Sequence, residues 1–453
     1  MPSDSGTGTG ASGESAGDWA LVPEPRTVAE TGLGPGVRDL VLKALLATGQ
    51  ATTIELVEQL GLPLAVIDQT LSLARHDGAV EVTGRVGLFE AQTSHEVTAK
   101  GRAEAERALE RNGYIGPAPV SLNTYATVQQ LQSVRSIHVT RELVRNALSG
   151  LVLSESVIDS VTAGVAAARS LLLSGAAGNG KTAITEAMRA MLPGTMFIPY
   201  AIDVDGQTIE VLDENVHEVI AHAPRGADRR YVECRRPLIT FGGELTLADL
   251  ELHYSPGLRQ YAAPASVRAN GGILVVDDLG RQQVPPQDFL NRWIHALDRG
   301  EDLLRLQTGA RFRVPFDVLV VFSTNLPLRD VGDEAFLRRI RHKVTVPDPS
   351  IAGFKDIFRR SCQRAGVAYD EDVVARFISE CYANGRAFRG CHPGDLVALV
   401  CDFAAVRGVT PALSAPALRE AARAYFVDLV DARDADHGSV EAREATTRSS
   451  QPH

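Results

Sequence analysis

Lysine is scarce in this chain: 5 of its 46 basic residues are lysine and 41 are arginine, a bias that tracks genome composition rather than function. Cysteine is sparse as well. Cys234, Cys362, Cys381, Cys391 and Cys401 form no CxxC pair, which argues against a disulfide framework or a zinc ribbon and for free thiols in a reducing, cytoplasmic setting. No run approaches the roughly 20 apolar residues of a membrane span. The first 20 residues lack both a basic start and an apolar core, so no secretory signal is expected. Excess positive charge is missing too: the net charge of −10 argues against a protein whose main task is wrapping nucleic acid, although a local basic face is compatible with it. What remains is an ordinary globular composition, 44% hydrophobic and 23% charged over 453 residues, enough for two or three domains.

Composition and periodicity divide the chain. Residues 1–20 and 432–453 are poor in groups to bury and are expected to be disordered tails. Residues 21–36, punctuated by Pro23 and Pro25, read as an extended arm lying on another part of the protein. Residues 37–112 read as a domain, 113–150 as a partly helical linker, 151–346 as alternating strands and helices, and 347–431 as an all-helical domain. Alternation of that kind points to an α/β fold with a mostly parallel sheet.

In the first domain, Leu40, Val41, Ala44 and Leu45 have helical spacing, with Gly49 as the stop. Thr52-Thr53-Ile54-Glu55 has capping-box spacing and opens a second helix ending at Gly61. A third helix spans about Pro63 to Arg75. Strands Val80–Val82 and Val86–Phe89 follow, hinged at Thr83-Gly84, and a last helix covers roughly Thr98–Arg111. Three helices and a small hairpin resemble a winged-helix domain. Residues 37–112 hold 8 Lys and Arg against 11 Asp and Glu, a net of −3, and the would-be recognition helix offers one arginine. Phosphate neutralisation supplies most non-specific DNA affinity. DNA is therefore disfavoured, and a protein-docking or regulatory module is the better reading.

The strongest signal is the apolar run Ser170–Ser174 leading into Gly175-Ala176-Ala177-Gly178-Asn179-Gly180-Lys181-Thr182, followed by a helical pattern from Ala183 to Met191. The spacing GxxxxGKT after a strand is that of a phosphate-binding loop. Its glycines let backbone N–H groups face the phosphates, Lys181 reaches the β- and γ-phosphates, and Thr182 offers a hydroxyl to Mg²⁺. A second apolar run, Ile273–Val276, ends in Asp277 and Asp278. Asp277 would hold the metal and Asp278 would polarise water. A third run, Val318–Phe322, leads through Ser323-Thr324 to Asn325. The segment Phe336-Leu337-Arg338-Arg339 comes shortly after.

In this order the motifs resemble the AAA+ ATPase superfamily over roughly residues 139–430. The resemblance implies ATP and Mg²⁺ as cofactors, and a P-loop core with a parallel sheet and a helical lid. It puts the Asn325 strand between the strands that carry Lys181 and Asp277, with Asn325 beside the γ-phosphate. Arg338 or Arg339 becomes an arginine finger reaching a neighbour's nucleotide. It further implies a homo-oligomer, by resemblance a hexameric ring, that hydrolyses ATP to remodel a protein partner. An expected hairpin from Leu303 to Val314, turning at Thr308-Gly309, resembles the subgroup with a hairpin before this asparagine strand. Two departures stand out. The usual Asp-Glu is Asp277-Asp278 here, one methylene shorter, which fits slow turnover or a nucleotide-dependent switch. No arginine sits where many members place a second sensor, and Arg386 or Arg389 would have to serve. Asp277 falls 96 positions after Lys181, leaving room for a hairpin at Ile202–Val211, turning at Asp205-Gly206, and for Phe241, Tyr254 and Tyr261. These aromatics read as core, with substrate grips as the alternative.

Overall fold

The computed structural model describes residues 18–85, 93–331 and 334–426. It divides into two compact units. The first comprises Met1–Gly150, Ser154–Gly175 and Lys181–Thr345, and the second Leu151–Leu153, Ala176–Gly180 and Val346–His453. Among the described residues, no helix is long and apolar enough to cross a membrane.

The first unit opens with helices Gly36–Thr48, Thr53–Leu60 and Leu64–His76, then Ala99–Arg111. The expected capping box is formed: Thr52 Oγ1 accepts from the Glu55 N–H, the Glu55 carboxylate accepts from the Thr52 N–H, and Gly61 closes the helix with a φ of 63°. Leu42, Leu45, Leu56, Leu60, Ile67 and Leu71 bury the facing sides. A three-stranded antiparallel sheet, Gln50–Thr52, Thr93–Val97 and Val80–Arg85 in spatial order, completes this region. The hinge expected at Thr83-Gly84 is not a turn. Both residues lie within the strand, and the glycine marks a register shift between Val82 and Gly84, the other common use of a strand glycine. The partner strand is Thr93–Val97, while the expected Val86–Phe89 strand lies outside the described residues.

Trp19 and Ala20, expected in the disordered tail, belong to a 3₁₀ turn over Trp19–Leu21, because the indole finds Phe197 at a ring distance of 4.6 Å. The arm beyond it is pinned by a bridge from Pro23 to Ala227, and by Arg230, whose Nη1 donates to the Thr31 carbonyl at 2.8 Å. Residues 113–150 are packed against the same unit. Val120–Ser121 pairs in parallel with Ala201–Val204, and Asp317 accepts from Gln129, Ser133 and the Val134 N–H at 3.2, 2.8 and 3.0 Å.

Five strands form the central sheet: β1 (Ser170–Ser174), β2 (Leu238–Phe241), β3 (Ile273–Val276), β4 (Leu319–Thr324) and β5 (His342–Thr345). They run parallel in the order β2-β3-β4-β1-β5. β1, β3 and β4 are buried at every residue, which is why they read as unbroken apolar runs. Helix Pro286–Arg299 lays Phe289 and the fully buried Trp293 against this sheet, Trp293 meeting Phe322 at 6.4 Å. Both expected hairpins form: Ala201–Val204 with Gln207–Glu210, and Glu301–Arg305 with Arg311–Pro315.

The second unit contains helices Ile351–Ala365, Glu371–Cys381, His392–Val406 and Ala415–Tyr425. Ser350, Asp370 and Ser414 cap three of them. Phe354, Phe358, Phe377, Leu396 and Leu418 fill the core.

Candidate nucleotide site

Register brings the motif-bearing strand ends together. Val276 pairs with Phe322, and Thr324 pairs with Ser174, so the residues after β1, β3 and β4 emerge at one edge of the sheet. Because all three strands are parallel, that edge collects their carboxyl ends. Gly175 leads out of β1 and Lys181 opens the helix Lys181–Ala187, while Gly175, Gly178 and Gly180 take φ values of 149°, 81° and 85° that favour glycine.

Lys181 is only 6% exposed, and its Nζ donates to the Gly175 carbonyl at 2.9 Å and to Asn325 Oδ1. Asn325 in turn donates from Nδ2 to Asp278 Oδ1 at 2.7 Å. Thr182 Oγ1 donates to Asp277 Oδ2 at 2.8 Å. Lysine, asparagine and the second aspartate thus form one hydrogen-bonded relay, and threonine and the first aspartate form a second pair. Asp278 has a φ of 50°, left-handed backbone that aspartate tolerates better than most residues. The turn that imposes it is anchored on β4: the Leu279 N–H donates to the Ser323 carbonyl at 2.7 Å, and Thr324 Oγ1 donates to the Leu279 carbonyl at 2.9 Å. Gln282 holds the turn from the other side, with Nε2 on the Asp277 carbonyl at 2.9 Å.

Mg²⁺ keeps several waters and takes few protein ligands, usually one or two oxygens besides phosphate. A hydroxyl and a carboxylate 2.8 Å apart at the exit of the lysine loop fit that donor set. Among the described residues, no group of three or more His, Cys, Asp or Glu forms another metal cluster. The five cysteines are free thiols, two of them buried and three half-buried. Burial pushes Cys234 up to about 12 and Cys362 to about 11, so neither is a thiolate near neutral pH.

The remainder of the loop belongs to the second unit. Asn179 Nδ2 donates to Asp348 Oδ1 at 2.7 Å, and the Gly390 N–H donates to Asn179 Oδ1 at 3.2 Å. Arg389 is ion-paired with Asp348. Gly178 tolerates no side chain, since a Cβ there would lie 2.4 Å from Cys391 Sγ. Asp348 and Gln282 were missed by sequence reasoning. Neither stands in a recognisable motif, and their importance lies in what they hydrogen-bond.

Arg338 and Arg339 do not join the lysine relay. Helix Glu334–Arg339 leads to the opposite edge of the sheet, where the Arg339 carbonyl accepts from Ser170 Oγ at the start of β1. Arg338 is paired with Glu334 at 2.6 Å and Arg339 with Asp298 at 2.9 Å. Of the three candidate grips, Tyr261 is buried with its ring 4.8 Å from that of Tyr254, and Phe241 ends β2 opposite Val276. Tyr261 is therefore core.

The strand order, with β4 between β1 and β3, and the glycine-rich lysine loop after β1 make the fold an α/β core built on a parallel sheet, followed by C-terminal helices. Residues 350–424 match a family model described as "Domain of unknown function (DUF8689)". No curated protein matches the chain. Among solved structures, it is similar to NtrX from Brucella abortus in complex with ADP, at 17% identity and a TM-score of 0.36. That likeness covers 70% of this chain and 59% of the other, so the chain spans about three fifths of that relative's length. A mutant form of RuvB from Thermotoga maritima is 13% identical with a TM-score of 0.35, covering 65% of this chain and 72% of that one.

Proposed function

We propose that this protein binds and hydrolyses ATP as an AAA+ ATPase, working as a homo-oligomer, by resemblance a hexameric ring, on a protein partner. The observation that carries the reading is the relay Lys181–Asn325–Asp278 beside the Thr182–Asp277 pair, all at the carboxyl edge of a parallel sheet. Lys181 would exchange its contact with Asn325 for the β- and γ-phosphates. Asn325 and Asp278, already bonded to each other, would then orient the attacking water. Mg²⁺, held by Thr182 and Asp277, would neutralise charge on the phosphates. Arg338 or Arg339 would complete the site of a second copy, an addition worth roughly three to five orders of magnitude in rate in comparable systems. Arg389, held by Asp348, is the candidate for a second phosphate sensor. The N-terminal helices and their three-stranded sheet serve as a winged-helix module that docks a partner, and the hairpin Glu301–Pro315 stands before the asparagine strand as in the subgroup noted above.

The second reading, a nucleotide-dependent switch, is favoured by one observation: the short Asp278 side chain on left-handed backbone, tied to Asn325. Steady-state ATP hydrolysis against protein concentration, with the Lys181→Ala and Arg339→Ala variants alongside, tests both. Activity that rises with concentration and is lost in both variants is expected of the motor. Tight ATP binding with negligible turnover favours the switch, and unchanged hydrolysis in both variants would sink the assignment.

A further inference from the structure

We propose a second anion site, at the amino-terminal edge of the central sheet, that binds the phosphate groups of a polyphosphorylated ligand. A cavity of about 490 Å³ opens there, and its wall carries Arg135, Arg169, Arg338, Arg339 and Arg341 against a single carboxylate, Asp298. Gathering five guanidinium groups in a chain of net charge −10 is costly through mutual repulsion unless an anion offsets it. The local acids do not suffice. Arg339 is paired with Asp298, Arg338 with the exposed Glu334, and Arg135 reaches Asp317 only at 3.9 Å. Arg169 and Arg341 engage no carboxylate among the described residues, and both are exposed.

The position separates this cavity from the lysine loop. Ser170 and Val318, on its wall, stand at the beginnings of β1 and β4, whereas the loop leaves the other end of β1. Five residues of parallel strand at about 3.3 Å each put roughly 16 Å between the two edges. The chemistry selects phosphate. Guanidinium forks grip phosphate oxygens in pairs. Counting Asp298, Glu334 and the more distant Asp317 against the five arginines still leaves an excess of two positive charges, which one peptide carboxylate cannot offset but a polyphosphate can. Such an anion has two sources: a diffusible polyphosphate or nucleotide, or the nucleotide held by another copy of this chain. The second source rests on the function proposed above; the first does not.

The test uses the full chain carrying Lys181→Ala, which disables the loop, and the same chain with Arg169→Glu and Arg341→Glu added. Inorganic tripolyphosphate is titrated into each by calorimetry, and thermal unfolding verifies that the surface charge reversals leave the fold intact. For a diffusible ligand, the Lys181→Ala chain binds one tripolyphosphate. The double reversal weakens this at least about tenfold, and raising salt from about 50 to about 300 mM weakens it further. For the second source, tripolyphosphate does not bind the isolated chain. Instead, Arg169→Glu with Arg341→Glu in the otherwise unaltered chain lowers concentration-dependent ATP hydrolysis at least about tenfold, with ATP affinity retained. Tripolyphosphate binding that ignores the double reversal overturns the proposal, as does absence of binding together with unchanged hydrolysis. If the unaltered chain fails to bind ATP while the Lys181→Ala chain still takes tripolyphosphate, the ATPase reading falls and this site stands.

Discussion

On the proposed function, replacing Asp278 with asparagine separates the orientation of water from the binding of nucleotide. Asn325 Nδ2 donates to Asp278 Oδ1 at 2.7 Å, and an asparagine at 278 keeps an oxygen acceptor of the same shape in the same place. The backbone there has a φ of 50°, which asparagine accepts as readily as aspartate, whereas alanine or glutamate would add strain. The relay from Lys181 through Asn325 to position 278 is therefore expected to survive. What disappears is the carboxylate charge proposed to polarise water. Loss of a positioned acid–base group costs about 10²- to 10⁴-fold in rate, which is about 2.7–5.5 kcal/mol of barrier. Affinity for ATP, which the proposed function assigns to Lys181, Thr182 and the loop, should change less than about threefold, since an interaction made only in the transition state lowers turnover without weakening binding. Phosphate release under saturating ATP gives the first quantity, and a fluorescent-nucleotide titration of the same preparation gives the second. Phosphate release within about threefold of the unaltered protein would refute the role of Asp278. So would an affinity loss that matches the rate loss, because the carboxylate would then be acting on ground-state binding.

Asp228 and Arg230 are 4% and 2% exposed and share charged hydrogen bonds at 2.8, 2.9 and 3.1 Å, so Asp228→Ala strands a buried guanidinium and should cost about 3–5 kcal/mol. Adding Arg230→Met should recover part of that loss, since the unpaired charge is gone; urea unfolding of the two variants decides it, and a double variant weaker than the single contradicts the account. Lys43 donates to the carbonyls of Asn112 and Tyr114, and burial lowers its pKa to about 8. The unfolded chain, with a lysine value near about 10.4, binds more protons between these limits, so the contribution of Lys43 to stability rises with pH across that window. The unfolding free energy of the unaltered protein minus that of Lys43→Met should climb from pH 8 to 10 by at most about 1.4 kcal/mol per unit; a flat difference refutes it.

The central sheet was legible because both of its faces are covered. The middles of β1, β3 and β4 must then be apolar, with Ser170, Ser174, Ser323 and Thr324 only at strand ends, and the polar residues that follow are where chemistry can begin. Lys181, Thr182, Asp277, Asp278 and Asn325 were singled out for that reason, and register brings them together. Residues 113–150 were harder. Their glutamines and serines suggest exposure, yet Gln129 and Gln132 are buried and satisfied: Gln132 donates to the Phe197 carbonyl at 2.7 Å and accepts from the Phe197 N–H at 2.8 Å. A buried polar residue with good partners looks, in sequence, like a solvated one. Thr83-Gly84 misled for a related reason, since a strand glycine can mark either a turn or a bulge, and only the partner strand distinguishes them. Asp348 was invisible because its partners, Asn179 and Arg389, come from distant stretches of chain.

Parallel strands give a sheet two chemically different edges, and this protein uses them differently. Residues that follow β1, β3 and β4 build the lysine relay and the Thr182–Asp277 pair, whereas residues that precede β1 and β5, namely Arg169 and Arg341, help line the arginine cavity. The relay bonds Lys181–Gly175, Lys181–Asn325 and Asn325–Asp278, and the Thr182–Asp277 bond beside them, join residues other than the arginines of the cavity. Substitutions roughly 16 Å apart without shared partners are expected to act additively. Additivity between the two edges is therefore the signature of a diffusible anion at the arginine edge. Coupling between them would require a route other than direct contact, and the anion presented by another copy supplies one: the same phosphates would then be held by the carboxyl edge of one chain and the amino edge of the next. A head-to-tail contact of that kind joins unlike surfaces, and it closes into a ring when the rotation between copies permits. The coupling between the two edges thus carries the information that distinguishes a ring-forming motor from a chain with two independent anion sites.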